Sequence, residues 1–311
     1  MTMRVTLIST AFREARTIAD FMESIAGQMR RPDEVIIADG GSDDGTVQIM
    51  ETFRGRLPLQ IVVIPGANRS VGRNAAIERA SGEVIASADA GCRLDERWLE
   101  AIVTPIEAGA DAAGGYYKPD ARTTLEQAVA FATMPARDEV DPETFLPSSR
   151  SIAFRKSAWD AAGRYPEHLS HNEDTAFAVT LRDASPNFVF EPRAVVYWRP
   201  RGSLLRVFAQ FFRYAYGDGQ CKFWFGHYAK AFLLLAIVAA LAAASFFHWA
   251  AWVALAALVV CYEARYALRS RRRGARLLAA LLGGPVLATI DAAHVLGWCL
   301  GRASALFRRG R

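Results

Sequence analysis

This chain of 311 residues predicts an α/β domain built on a mostly parallel sheet, followed by an α-helical membrane module. Three observations carry that expectation. Short Val/Ile-rich runs alternate with amphipathic helical patterns from the start, as in a parallel sheet covered on both faces. Polar clusters at residues 10–14, 39–44 and 89–95 fall where the first, second and fourth runs end, and such sheets bind ligands at the carboxyl ends of their strands. Residues 231–262 carry no charge at all.

Taken in order, "RVTLIST" reads as a strand, and "EARTIADFMESIAGQ" as a helix with Ile18, Phe21, Met22 and Ile25 on one face. Strand "DEVIIAD", helix "DGTVQIMETF", strand "LQIVVI", helix "SVGRNAAIERA" and strand "EVIASAD" follow. An Asp-started, Trp-anchored helical pattern begins at Asp95. After residue 110 the pattern loosens into a strand-like "DAAGGYY", a helix around 125–134 and the Pro- and acid-rich loop "PARDEVDPETFLPSS". Strand "RSIAFRK", helix "SAWDAAGRY" and a helix started by Asn172 or Glu173 come next, the last with Phe177, Val179 and Leu181 as its apolar face. These elements place one α/β domain over residues 1–200.

Residues 201–228 mix aromatic and basic side chains at helical spacing, which reads as a helix lying in a membrane interface; a core-packed helix is the alternative. A single helix over the uncharged block would span about 48 Å, whereas a bilayer core needs only about 30 Å. A hairpin over 229–268, turning near 246–249, fits better than one strongly tilted helix. Lys222 and Lys230 precede the block, while Arg265, Arg269, Arg271, Arg272, Arg273 and Arg276 follow it. Positive charge on both sides puts both ends in the cytoplasm. In the remaining segment, 269–311, a basic loop leads to an apolar stretch at 277–299 holding Gly283, Gly284, Pro285, Asp291 and His294. That stretch reads as interfacial or re-entrant more readily than as a third crossing.

The net charge of +5 is therefore a membrane signature. The basic residues sit beside hydrophobic blocks, not among exposed aromatics on a soluble face, so no nucleic-acid partner is expected. Four distant cysteines with no CxxC pair argue against a disulfide scaffold or zinc site and suit a reducing compartment. The first apolar run is too short for a signal peptide. Together these features point to a multi-pass protein of the cell (inner) membrane with its α/β domain in the cytoplasm.

The most specific stretch is "DEVIIADGGSDDGT". A strand ends at Asp39, and two glycines, Ser42, Asp44, Gly45 and Thr46 turn it into a helix. Such a turn offers acids to a base or ribose and lets a ligand approach the backbone closely. Neither GxGxxG nor GxxxxGK[ST] occurs, which removes the dinucleotide and P-loop readings.

With "TAFREA", "GRNAAIERASGE", "SADAGC" and "HNED", all in order, this stretch resembles the inverting glycosyltransferases of family 2. The resemblance implies their GT-A fold, a Rossmann-like nucleotide-sugar-binding domain, and a nucleoside-diphosphate sugar donor, a UDP-sugar first of all. It implies that Asp39 holds the base or ribose, with Thr10, Glu14 and Asp44 in the same pocket. Arg73 and Asn74 would stand near the sugar and diphosphate. Asp89 matches the first acid of the DxD, and Asp174 the catalytic base, with Glu173 orienting it. Gln210, Arg213 and Tyr214 resemble the QxxRW element of membrane-bound polysaccharide synthases, which contacts the acceptor or the donor phosphates.

Three positions depart from the family pattern: Arg13 replaces Asn, Gly40 replaces Asp, and Gly91 replaces the second acid of the DxD. That acid helps hold the divalent cation, Mg2+ or Mn2+, on the diphosphate. Asp89 alone could hold a hydrated ion that the diphosphate completes; otherwise Arg or Lys side chains replace it. The membrane module implies a bilayer-borne acceptor: a lipid-linked glycan, a lipid or polyprenyl phosphate. The rival readings are a nucleotidyltransferase and a non-catalytic sugar-nucleotide-binding scaffold.

Overall fold

The computed structural model describes residues 3–169, 171–185, 187–221 and 225–309. It divides into two compact units: Met1–Asp120 with Ala136–Trp198, and Ala121–Pro135 with Arg199–Arg311.

The first unit opens with β1 (Val5–Ala11), α1 (Ile18–Ala26), β2 (Glu34–Asp39), α2 (Thr46–Glu51), β3 (Leu59–Val63), α3 (Arg69–Arg79) and β4 (Val84–Ser87). β5 (Cys92–Leu94), α4 (Trp98–Glu107) and β6 (Ala112–Pro119) follow. After α5 (Thr124–Thr133), which belongs to the second unit, it resumes with β7 (Ile152–Arg155), α6 (Lys156–Ala161), α7 (Glu173–Ala184) and β8 (Phe188–Trp198). The sheet runs β3-β2-β1-β4-β7-β6-β8-β5. The β3–β4 half is parallel, as expected, but β7 runs antiparallel to both β4 and β6, and β5 antiparallel to β8. That reversal matters for the site. Because Ser87 pairs with Ile152, the start of β7 lies at the carboxyl end of β4.

Both faces of the sheet are buried, which explains the unbroken Val/Ile runs. Leu7, Val35, Ile37 and Val84 pack with Phe21, Ile25, Trp98 and Ile102 on one face. Ile8, Ile36 and Ile85 pack with Ile77, Trp159, Phe177 and Leu181 on the other. On α7 it is Ala178, not Val179, that completes the buried stripe; Val179 is half-buried. β5 and β8 are strands that the sequence pattern did not announce. β6 and β8 shift register between Gly115 and Tyr116. There a Cβ on Gly115 would lie 2.0 Å from Ser151 Oγ and 2.4 Å from the Ala194 carbonyl oxygen.

The second unit holds α5, α8 (Leu204–Cys221), α9 (Phe225–Ala244), α10 (Trp249–Arg272), α11 (Leu277–Leu281) and α12 (Gly283–Arg309). Lys222, expected before the apolar block, lies outside the described residues. Ala128 and Val129 of α5 pack with Val207, Val286 and Ile290. α8 and α12 approach backbone to backbone across a GxxxG pair: a Cβ on Gly297 would fall 2.4 Å from the Phe212 carbonyl oxygen, and one on Gly301 2.1 Å from that of Tyr216. Three helical stretches, Phe225–Ala244, Trp249–Arg272 and Leu277–Leu306, are long and apolar enough to cross a membrane. The third includes the 277–299 stretch expected at the interface. Its Gly283-Gly284-Pro285 run sits in the first turn of α12, where proline is tolerated, so a long helix still forms beyond it.

Candidate active site

The loops after β1 and β2 are stitched together by the residues that the family pattern marks. Asp39, at the end of β2, is buried and accepts from the Gly41 and Ser42 amides at 2.9 and 2.7 Å and from the Ser42 hydroxyl at 2.6 Å. A carboxylate has about four acceptor positions, so one remains. Asp44 accepts from the Thr46 hydroxyl at 2.6 Å and the Ala15 amide at 3.1 Å. The Thr46 hydroxyl leads in holding its carboxyl below the usual value. The Glu14 amide donates to Thr46 Oγ1 at 2.8 Å, and the Glu14 carboxylate accepts from Thr17. Thr10, the last residue but one of β1, is half-buried and close against Gly72 of α3, where a Cβ would lie 2.9 Å from its methyl group. Arg13 sits at φ 55°, a left-handed backbone that Asn adopts more readily than Arg, and its guanidinium pairs with Asp43 at 2.7 Å.

The centre of the arrangement is Arg73, on α3 and only 2% exposed. Its guanidinium donates to Asp89 Oδ1 at 3.0 Å and to Glu173 Oε1 at 2.9 Å, and lies 5.2 Å from the centroid of the Tyr165 ring. Burial opposes the charge of Arg73, but Asp89 and Glu173 more than offset it. Asp89 lies two residues past the end of β4. Arg150 stands two residues before β7, and the antiparallel β4–β7 register brings the two together, with Arg150 Nε 3.7 Å from Asp89 Oδ2. Burial works against ionisation of Asp89, yet Arg73, Arg150 and Arg69 outweigh it and hold the carboxyl below its usual range. Arg150 also lies 4.8 Å from the Trp198 ring centroid. Arg150 and Tyr165 escaped the sequence reading because nothing local marks them; only the strand pairing and the tertiary stack reveal their place.

Asn74 is spent on the scaffold. Its amide nitrogen donates to the Tyr165 carbonyl and to Glu167, each at 2.9 Å, while its oxygen accepts from the Trp159 indole and the Tyr165 amide. It thus fixes the ring on which Arg73 rests. Glu173 and Asp174 open α7 after Asn172 in a left-handed conformation. Glu173 is buried on Arg73, whereas Asp174 is half-buried and accepts from the Thr175 amide at 3.0 Å. Cys92 is no nucleophile: burial first, and Asp89 next, push its thiol up to about 12.

Asp89 is a hard oxygen donor and fits a divalent ion that takes its other ligands from water and diphosphate. Among the described residues no three His, Cys, Asp or Glu side chains gather into a fuller metal site. Gln210 and Arg213 belong to the second unit: Gln210 is buried, bonding to Tyr214 Oη at 2.9 Å and Arg201 Nε at 3.2 Å, and Arg213 is exposed.

The family described as Glycosyl transferase family 2 matches residues 6–160, the stretch that carries Asp39, Arg73 and Asp89. The chain belongs to that family. As a family 2 glycosyltransferase it uses a nucleotide-sugar donor. It is similar to Glycosyltransferase AglE of Haloferax volcanii, 26% identical over 71% of this chain and 74% of AglE. It is also similar to Succinoglycan biosynthesis protein ExoA of Rhizobium meliloti, 27% identical over 63% of this chain and 62% of ExoA. The fold matches the mannosyltransferase PcManGT of Pyrobaculum calidifontis, solved with GDP-Man and Mn2+, with a TM-score of 0.65 and 18% identity over 94% of this chain and 88% of that one.

Proposed function

We propose that this glycosyltransferase moves a sugar, with inversion, from a nucleoside-diphosphate donor to a membrane-borne acceptor at the cytoplasmic face of the cell membrane. The observation that carries the reading is the Arg73 cluster at the carboxyl edge of β4, with Asp174 in the first turn of the helix whose Glu173 that arginine holds. Asp39 offers its remaining acceptor position to the base or ribose, on the loop it orders. Thr10 and Glu14 line that pocket, and Asp44 ties its two loops together. Arg73 is matched by Asp89 and Glu173 and holds the edge in place, while Arg150 and Arg69, both near enough to lower the Asp89 carboxyl, bring further positive charge to it for a diphosphate.

Asp174 takes the proton from the acceptor hydroxyl as that oxygen attacks the anomeric carbon. The bond from that carbon to the diphosphate oxygen breaks, the diphosphate leaves with the electron pair, and the configuration inverts. Glu173, the carboxylate next to the base, is committed to Arg73, which leaves Asp174 to act as a base on the acceptor side and supports inversion. A divalent cation, Mg2+ or Mn2+, held by Asp89 would neutralise charge on the leaving diphosphate.

The apolar helices of the second unit support an acceptor that lives at the bilayer: a lipid-linked glycan, a lipid or polyprenyl phosphate. The test is to incubate the purified protein and native membranes with labelled UDP-, GDP- and dTDP-sugars, starting with UDP-sugars, with Mg2+, Mn2+ or EDTA. Label entering the lipid or glycan fraction, and lost with Asp174→Asn, supports the proposal. Incorporation that survives Asp174→Asn refutes the assigned base.

A further inference from the structure

Inside the second unit a cavity of about 300 Å³ opens between α5, α9, α10 and α12. Three cations line it: Lys230 of α9 and Arg265 and Arg269 of α10, all exposed. Among the described residues its lining holds one carboxylate, Asp291 of α12, which accepts from the Tyr262 hydroxyl at 2.5 Å. Leu234 and Leu287 supply apolar wall. Three cations against one carboxylate leave a net charge of +2, which complements a phosphate monoester carrying a charge near −2.

Depth along the helices narrows the ligand further. α9 ends at Ala244 and α10 begins at Trp249, so the hairpin turns between them. At 1.5 Å per residue, Lys230, Arg265 and Arg269 stand about 21 to 30 Å along their helices from that turn. A hydrocarbon core is about 30 Å thick. Arg269, at about 30 Å, therefore sits where the core gives way to headgroups on the side opposite the turn, and Lys230 and Arg265, at about 21 and 24 Å, extend toward that level along their long apolar stems, while Leu234 lies nearer the turn and deeper. A basic pocket between membrane helices at that level is a lipid-head site.

We infer that this cavity binds a membrane lipid whose head is a phosphate monoester, the phosphate on Lys230, Arg265 and Arg269 and the first carbons of the chain against Leu234 and Leu287. The inference rests on the proposal that α9 and α10 cross a bilayer, and not on the donor chemistry.

The test uses the full chain in nanodiscs of neutral lipid, with farnesyl phosphate as the probe and intrinsic fluorescence or calorimetry as the readout. Arg265→Gln with Arg269→Gln should weaken farnesyl phosphate binding about thirtyfold, at about fivefold per cation near the membrane surface. Lys230→Gln alone should weaken it about fivefold, and covers the case in which the double variant fails to fold. Arg272→Gln with Arg276→Gln, exposed but outside the cavity, should change nothing. Farnesol and inorganic phosphate should bind far more weakly than farnesyl phosphate, and phosphatidylglycerol, a diester, should not displace it. Equal binding by farnesol, displacement by phosphatidylglycerol, or full affinity in Lys230→Gln or the folded double variant would each overturn the inference, as would a chain that fails to insert in the discs. Nucleotide binding in the same discs reports on the active site separately, so its failure counts against the transferase proposal alone.

Discussion

Glu173 and Asp174 are neighbours with opposite expected failures, and substituting each in turn separates scaffold from chemistry. The Glu173 side chain is 5% exposed and bonded to an arginine that is 2% exposed. Breaking a buried ion pair from one side costs about 3–5 kcal/mol. Asp89 still faces Arg73 at 3.0 Å, so Glu173→Ala belongs at the low end, about 3 kcal/mol. For a unit of this size that lowers Tm by about 6–12 °C. Asp174→Asn keeps an oxygen for the Thr175 amide and removes no ion pair, so its stability cost is within about 0.5 kcal/mol. Its cost in transfer rate, if it is the base, is about 10²–10⁴-fold. Thermal unfolding in detergent, followed by intrinsic fluorescence, and labelled-sugar transfer on the same samples give both numbers. The reasoning is refuted if Asp174→Asn lowers Tm as far as Glu173→Ala does, or if Glu173→Ala leaves Tm unchanged.

A Cβ on Gly91 would meet nothing within 4 Å, so Gly91→Asp restores the second acid without a clash and should tighten Mn2+ binding, read by calorimetry with and without nucleoside diphosphate. Gly115→Ala drives a methyl into Ser151 and Ala194 and should cost about 1–3 kcal/mol or more, seen as a lowered Tm. Arg13→Asn relieves a left-handed backbone at the loss of an exposed pair with Asp43; Tm should rise, and a fall comparable to that of Asp43→Ala would show that the pair outweighs the backbone. Asp89 has its carboxyl lowered in the folded chain. The stability it contributes is therefore fully present above the unfolded value of about 3.9 and is lost as pH falls through the lower folded value. Tm between pH 6 and pH 2.5 should drop less steeply in Asp89→Asn than in the unaltered protein.

The β1–β4 half of the sheet was legible because strands buried on both faces must be apolar throughout, and the turns between them must be polar or Gly-rich. β5 and β8 were not, for equally physical reasons. Three residues with Arg93 at the centre show no period, and β8 carries Glu191, Pro192 and Arg193 inside its run. The site follows the same division. Asp39 and Asp89 stood out because each lies where a predicted strand meets a turn, whereas Arg73, inside a helix, was marked by the family pattern alone. What each side chain does depends on partners far off in sequence: Glu173 lies 100 residues from Arg73, and Asn74 holds Tyr165 from 91 residues away. Neither distance leaves a local trace. Arg150 makes the point most sharply. It reaches Asp89 only because β7 runs against β4, a reversal that places the residues ahead of one strand beside those after the other. A reading that assumes a parallel sheet sends Arg150 to the opposite edge, so the guanidinium beside Asp89 is a consequence of topology and not of any motif.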